Sequence, residues 1–318
     1  MSKLQRIKEP QMPRIGFYSA GLHAYWEQFA GLLDCLMEYN RFIEGKLKNF
    51  GEVFNFGLVD TEEKGREAGE YFNSHNVDIV FSHAATYYTS ACVVPVHQIN
   101  KAPVIILNLQ PTPEMAYEET GTDRWLAQCV GCSIPEISNA FNRSGITFRA
   151  VNGLLGLDRT PAFAKADENT ADRPEAKRAW KEIEEWCMAA KVKRTLQHAR
   201  FGFLGGYYSG MLDMYSDLTM LSAQAGLNVD ILEMSDLNAY LETVTDEEVK
   251  EKRQTIEDFF EISGDSPSDP IARKPTEEQM NWSAKVAAAQ EKMVRDRNLD
   301  SVSYYYHGRE DKSEAKRS

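Results

Sequence analysis

VDIVFSHA (residues 77 to 84) and APVIILNLQP (residues 102 to 111) are short and almost continuously apolar. A strand with one wet face alternates apolar and polar residues, whereas a strand covered on both faces reads as an unbroken apolar run. These two runs therefore predict strands at the centre of a parallel sheet. Working outward, RIGFYSA (14 to 20) and EVFNFGLV (52 to 59) predict two more strands. A helical segment is expected from about Tyr25 to Leu47, because Leu32, Leu36, Tyr39 and Ile43 recur at spacings of three and four. Thr61 is the expected N-cap of a helix covering Lys64 to His75. CVVPVHQIN reads as a helix or turn.

Strands alternating with helices predict βαβ units and an α/β fold. Further along, a helical piece runs around Trp125 to Ala140, and RSGITFRAVNGLLG reads as a strand and turn. DENTADRPEAKRAW is polar and marks the approach to a domain crossing. The expected division is 1–160 and 161–318, the second part opened by a long helix over 177–199 and closed by a polar tail, 309–318. A second βα register follows. RFGFLGG (200 to 206) and NVDILEM (228 to 234) are strands, with a helix from about Asp213 to Gly226 between them. Residues 235 to 263 are mostly helical, and another long helix precedes SVSYYYHG (301 to 308), a candidate strand.

The composition is that of a folded protein, with 42% hydrophobic and 26% charged residues. A formal net charge of -12 opposes nucleic acid and anionic membranes as partners. The polar start MSKLQRIKEPQMPR has no apolar core of a signal peptide, and no run is long enough to span a bilayer. A cytoplasmic location is expected. The five cysteines, Cys35, Cys92, Cys129, Cys132 and Cys187, are dispersed and fit free thiols.

Several motifs invite sharper readings. GGYYSG follows a strand, but it is neither G-x-G-x-x-G nor a Walker loop, so a tight turn is the simpler reading. Cys129-x-x-Cys132 lacks the second pair that structural zinc needs. Asp213, Asp217 and Glu233 suit capping and solubility better than a metal. Tyr304, Tyr305 and Tyr306 suit core packing by default. His23 and His83 stand apart because both sit at predicted strand C-terminal ends, where α/β sheets bind ligands. With Tyr25, Tyr87, Tyr88 and Gln110 they could line a polyol pocket, offering ring faces to C–H groups and donors and acceptors to hydroxyls.

Three stretches resemble the L-arabinose isomerase family in its broad sense, with L-fucose isomerase a more distant relative. They are GLHAYWEQFAGL (21 to 32), HAATYYTSACVVPVHQINKAPVIILNLQPTP (83 to 113) and ARFGFLGGYYSGMLDMYSDLTMLSAQAGLNVDILEMSDL (199 to 237). The resemblance implies two flavodoxin-like (Rossmann-like) parallel-sheet domains in tandem, ahead of a catalytic domain. It implies aldose–ketose isomerisation assisted by a divalent metal, typically manganese, and a trimeric or hexameric homo-oligomer. The N-terminal domain of that family helps to form a neighbouring subunit's active site. By resemblance, His23, Tyr25, Gln28, His83, Tyr87 and Gln110 face the sugar, with Met188 a weaker candidate. The family's glutamates and metal-binding histidines find no counterpart: Tyr306 or His307 stands where the first glutamate falls, and Glu310 is the nearest carboxylate. No catalytic residue or metal ligand is therefore assigned. The expectation is a sugar isomerase cut short of its catalytic domain. The alternative is a non-catalytic sugar-binding or regulatory module on the same scaffold.

Overall fold

The computed structural model describes residues 10–128, 130–159, 169–207, 213, 215–269 and 273–304. The chain forms two compact units, one spanning Gln11–Arg194 and the other running from Thr195 onward. Both are α/β units, and each has a sheet whose strand pairs are all parallel.

In the first unit the elements run β1 (Arg14–Ala20), α1 (Tyr25–Gln28), α2 (Leu32–Leu47), β2 (Glu52–Val59), α3 (Glu62–Ser74), β3 (Ile79–Ala84), α4 (Ser90–Ile99), β4 (Val104–Gln110), α5 (Thr122–Gln128), α6 (Ile134–Arg143), β5 (Phe148–Leu154) and α7 (Pro174–Gln197). The sheet order is β2-β1-β3-β4-β5, the flavodoxin-like arrangement, whose direction reverses between β1 and β3. Every residue of β3 is buried, as its apolar run requires. Alternation sends Ile15, Phe17, Ile79 and Phe81 into a core with Leu32, Leu36, Tyr39 and Ile43 of α2. Tyr18, Ala20, Val80 and Ala84 enter a second core with Phe72, Val93, Val96 and Phe141. Thr61 caps α3, its hydroxyl accepting from the Lys64 amide at 3.3 Å. α3 lies so close to α4 that a Cβ at Gly65 would sit 2.2 Å from the Cys92 carbonyl oxygen, and one at Gly69 would sit 2.8 Å from Ile99 Cβ.

Two expectations need correction. The helix expected over Tyr25 to Leu47 is broken: Gly31 adopts φ 88°, a left-handed conformation that separates α1 from α2. Continuous apolar spacing hid the break. The long helix α7 also closes the first unit and does not open the second. It buries Ala179, Ile183, Cys187 and Ala190 in the β1–β3 core. Its alanine face allows a close approach, so a Cβ at Gly153 would meet Ala179 Cβ at 2.8 Å. The Trp180 indole donates to the Leu155 carbonyl at 2.8 Å, and Arg194 pairs with buried Asp78 at 3.3 Å. The division accordingly falls at Arg194/Thr195, not at 160/161.

The second unit continues with β6 (Arg200–Leu204), α8 (Leu218–Ala225), β7 (Asn228–Leu232), α9 (Met234–Leu241), α10 (Asp246–Phe259), α11 (Glu277–Asp296) and β8 (Ser301–Tyr304). The strand order is β7-β6-β8. Leu204 and Leu232 pack with Leu237, Leu241, Ala289 and Met293 of α9 and α11. The helix expected from Asp213 is shorter than its apolar pattern suggested. Asp217 caps it, accepting from the Met220 amide at 3.0 Å, and Gly226 ends it at φ 74°. Gly205 and Gly206 turn at φ 87° and 94°, the tight turn expected of the glycine run. Cys129, Tyr305, Tyr306, His307, Glu310 and the 309–318 tail lie outside the described residues. Among the described residues no helix is long and apolar enough to cross a membrane.

Candidate functional site

Strands β1, β3 and β4 are neighbours and all parallel, so their C-terminal loops gather along one edge of the first sheet. The loop after β1 carries His23 and leads into α1 at Tyr25, the loop after β3 carries Tyr87, and β4 ends on Gln110. Side chains of doubly wound sheets meet ligands at this edge, in the crevice where strand order reverses.

Asp60, just past the end of β2, organises the outer part of that edge. Its carboxylate is almost fully buried, with a side-chain exposure of 1%. It accepts from the Trp26 indole at 2.6 Å and sits 2.7 Å from the Lys64 ammonium. His23 Nδ1 lies 3.7 Å from the same carboxylate, and the His23 amide donates to the Asp60 carbonyl at 3.3 Å. The β1 loop is thus tied to the β2 loop, and the His23 ring is left in solvent with 70% exposure. Asp60 and Trp26 were missed in the sequence. The only available signal was an acid between a strand and a helix cap, a position that suits capping equally well.

The other candidates divide sharply. Tyr25 is half-buried, set edge-on to Trp26 and Phe29 with ring centroids 6.4 and 5.9 Å away. Tyr87 is half-buried against the same core. Gln110 is half-exposed, and its amide nitrogen would lie 3.5 Å from a Cβ placed on Gly131. Gln28 is exposed, but its amide turns back to the Ala24 carbonyl at 2.8 Å and serves its own helical turn. Met188 is 53% exposed on the outer side of α7.

His83 does not face the edge. It is fully buried, in register with Ser19 on β1 and Leu107 on β4. Asn40 Nδ2 donates to the Ser19 hydroxyl oxygen at 2.9 Å. The same Ser19 hydroxyl is hydrogen-bonded to His83 Nδ1, 3.0 Å away. Burial pushes the His83 pKa down to about 3. His83 is therefore a neutral core histidine, in place of the expected ligand-facing one. Strand periodicity explains the difference: the last residues of β3 are still inside the sheet. Tyr88 is likewise fully buried, and burial raises its pKa.

Residues after β4 close the inner part of the crevice. Thr86 Oγ1 donates to the Leu126 carbonyl at 2.7 Å, and Ser133 Oγ accepts from the Tyr88 amide at 3.0 Å. Thr112 Oγ1 donates to Gln128 Oε1 at 2.9 Å. Of the residues at this edge, Tyr25 and Tyr87 are half-buried, His23 is exposed and Gln110 is partly exposed.

Among the described residues no group of three or more His, Cys, Asp or Glu side chains could share a metal ion. His23 with Asp60 makes a pair, and Lys64 already holds the other carboxylate oxygen. The described residues thus do not fit the manganese that the resemblance implies, and no chemical step is routed through it.

No family model matches the sequence, and no curated protein matches it. Among solved structures the chain is similar to the ligand-free, open structure of CD0873, a substrate binding protein with adhesive properties from Clostridium difficile. The identity is 10%, the coverage 77% of this chain and 62% of that one, and the TM-score 0.23. This chain spans less than two thirds of that protein, and a likeness of this degree bears on neither fold nor function.

Proposed function

We propose that the chain binds a small sugar at the carboxyl edge of its first sheet, as part of an aldose–ketose isomerase of the L-arabinose/L-fucose type. The observation that carries this reading is the rim at the β1/β3 reversal. Tyr25 and Tyr87 offer ring faces and hydroxyls, and His23 and Gln110 offer further donors and acceptors, all at or just beyond the carboxyl ends of the strands, where such sheets bind ligands. The three motif stretches suggest the sugar class and a homo-oligomer, the net charge of -12 argues against nucleic acid and anionic membranes as partners, and a cytoplasmic location belongs to the same proposal. On this reading the carboxylates and manganese ligands of the chemistry come from outside the described residues.

A non-catalytic sugar-binding module is the second reading. It is favoured by the state of the ionisable groups beneath the rim: Asp60 is engaged by Trp26 and Lys64, and buried His83 stays neutral, so neither serves as a base.

Calorimetric titration with L-arabinose and L-fucose, with and without manganese, tests both. Binding that Tyr25→Ala weakens about tenfold or more supports the site. Ketose formation in manganese separates the isomerase from the module. No heat with any pentose or hexose, or binding indifferent to Tyr25→Ala, sinks the site.

A further inference from the structure

The second sheet has a strand reversal of its own. From β6 the chain runs to β7 on one side, then crosses to β8 on the other, so the order β7-β6-β8 places a crevice at the carboxyl end of β6. Open parallel sheets bind ligands at such a point. Three features gather there. The first is the turn after β6. Gly205 and Gly206 hold φ 87° and 94°, and a Cβ on Gly206 would meet nothing within 4 Å, so the backbone is open to close approach. The Gly205 amide donates to the Leu232 carbonyl at 3.2 Å, which ties this turn to the end of β7. The second is Glu233, the residue directly after Leu232. It is exposed; its carboxylate caps α9 and accepts from the Ser235 hydroxyl at 3.3 Å, and two carboxylate oxygens have room for further donors. The third is a stack of rings. Phe203 of β6 packs against Tyr207 with centroids 4.8 Å apart, and Tyr207 against Tyr215 at 5.2 Å. The Tyr207 hydroxyl donates to the Ser216 carbonyl at 2.6 Å and pins the stack. The outermost ring, Tyr215, is 71% exposed, and Ile231, the register partner of Phe203, is 72% exposed.

We infer that this crevice binds a nucleoside, with the base on the exposed aromatic and aliphatic surface and the ribose diol on Glu233. A flat heteroaromatic ring stacks on a tyrosine face whatever its sequence of substituents. An acid at the end of the strand that follows the glycine turn is where a parallel unit of this order accepts the hydroxyls of a ribose, and Glu233 holds that place. The ligand carries no phosphate. A phosphate after a glycine turn sits on the amides that open the next helix. Here Asp217 occupies the start of α8, its carboxylate accepting from the Met220 amide at 3.0 Å. Arg297, which reaches the start of α9, is held by Asp236 at 2.6 Å. The turn likewise lacks the G-x-G-x-x-G spacing of a pyrophosphate site. The site lies wholly in the second unit, and the inference stands apart from the sugar-binding reading of the first.

Saturation-transfer NMR titrations on the full chain test it, with adenosine, 2′-deoxyadenosine and AMP as probes. Adenosine is expected to bind with a Kd of about 1 mM or tighter, and AMP no more tightly than adenosine. Deoxyadenosine, which lacks half of the diol, should bind about fivefold more weakly. Tyr215→Ala should weaken adenosine and deoxyadenosine alike, by about fivefold or more, because it removes the stacking face that both use. Glu233→Ser keeps a helix cap but not the reach of the carboxylate, so it should erase the preference for adenosine and leave deoxyadenosine unmoved. Both positions are exposed, and far-UV circular dichroism confirms that the variants are folded. No saturation transfer to adenosine, guanosine or cytidine at concentrations up to about 5 mM would overturn the inference. So would an affinity indifferent to both substitutions, or AMP binding about tenfold more tightly than adenosine, which would make the phosphate the group recognised.

Discussion

Lowering the pH should unfold the first unit well before its carboxylates protonate, because two histidines are sealed inside it. His83 and His97 are both fully buried, and burial lowers each from an ordinary 6.5 to about 3. His97 lies between Tyr18, whose hydroxyl is 3.0 Å from its Nε2, and Phe141, with Lys101 adding repulsion to any charge on the ring. His83 faces only Ser19. A histidine whose folded pKa lies below its unfolded one takes up a proton on unfolding. The stability this confers is complete above pH 6.5 and is lost as the pH falls from there toward 3. Each pH unit in that window costs about 1.4 kcal/mol per histidine, so by pH 4.5 the pair has cost on the order of 5 kcal/mol. That is the size of a whole domain's stability. Urea unfolding followed by tryptophan fluorescence reads it directly, since Trp26, Trp125, Trp180 and Trp186 all lie in this unit. His83→Gln and His97→Gln remove the titration while keeping a polar group in place, so each should recover about half of the acid loss. Wild-type stability at pH 4.5 within about 1 kcal/mol of that at pH 7, or a double variant that loses as much as the wild type, would refute the reasoning.

Three other outcomes follow from the packing. Ile183→Ala should cost about 2–5 kcal/mol, and hydrogen exchange should show that loss in β1 and β3, leaving β6 and β7 protected as before. Loss of protection confined to residues 200–232 would return α7 to the second unit. Arg194→Met leaves the buried Asp78 carboxylate with the Arg14 amide, 2.7 Å away, as its remaining partner, so urea midpoints should fall by about 1–3 kcal/mol. Gly69→Val should fold poorly or not at all, because even a Cβ there meets the Val96 carbonyl oxygen at 2.9 Å; a soluble variant with wild-type melting would show that α3 and α4 can part cheaply.

Most of the fold was legible because the signals were local. Apolar runs set β1 to β4, and the limits found for β1 and β2, Arg14–Ala20 and Glu52–Val59, are those the sequence suggested. Thr61 and its helix were equally plain. The placement of α7 was not, because its buried stripe is mostly alanine and cysteine, and a polar segment ahead of it imitates a linker. Which sheet an alanine face packs against depends on partners such as Gly153, distant in sequence and unmarked by any motif. The break at Gly31 was lost for a related reason: the apolar spacing runs straight through it.

The site was harder to read than the fold because chemistry at a strand end depends on one residue of register. Ser19, Asn40 and His83 form a buried relay, and Asn55 extends it outward, donating to Asn40 Oδ1 and to Glu44 Oε2, each at 2.8 Å. This chain of bonds links the Asn40 amide and the His83 imidazole to the interior of the sheet, away from its carboxyl edge. Only residues past the last paired strand position, such as His23, Tyr25 and Tyr87, escape it. A histidine counted at a strand end on sequence alone is as readily part of the sheet's internal bonding as part of its ligand surface. The distinction follows from which residues still have a strand neighbour: His83 has two, Ser19 and Leu107, whereas His23 has none. On the proposed reading, ligand contacts on this edge would come from residues at or beyond the strand ends, while the buried polar network ties β1 and β3 together beneath them.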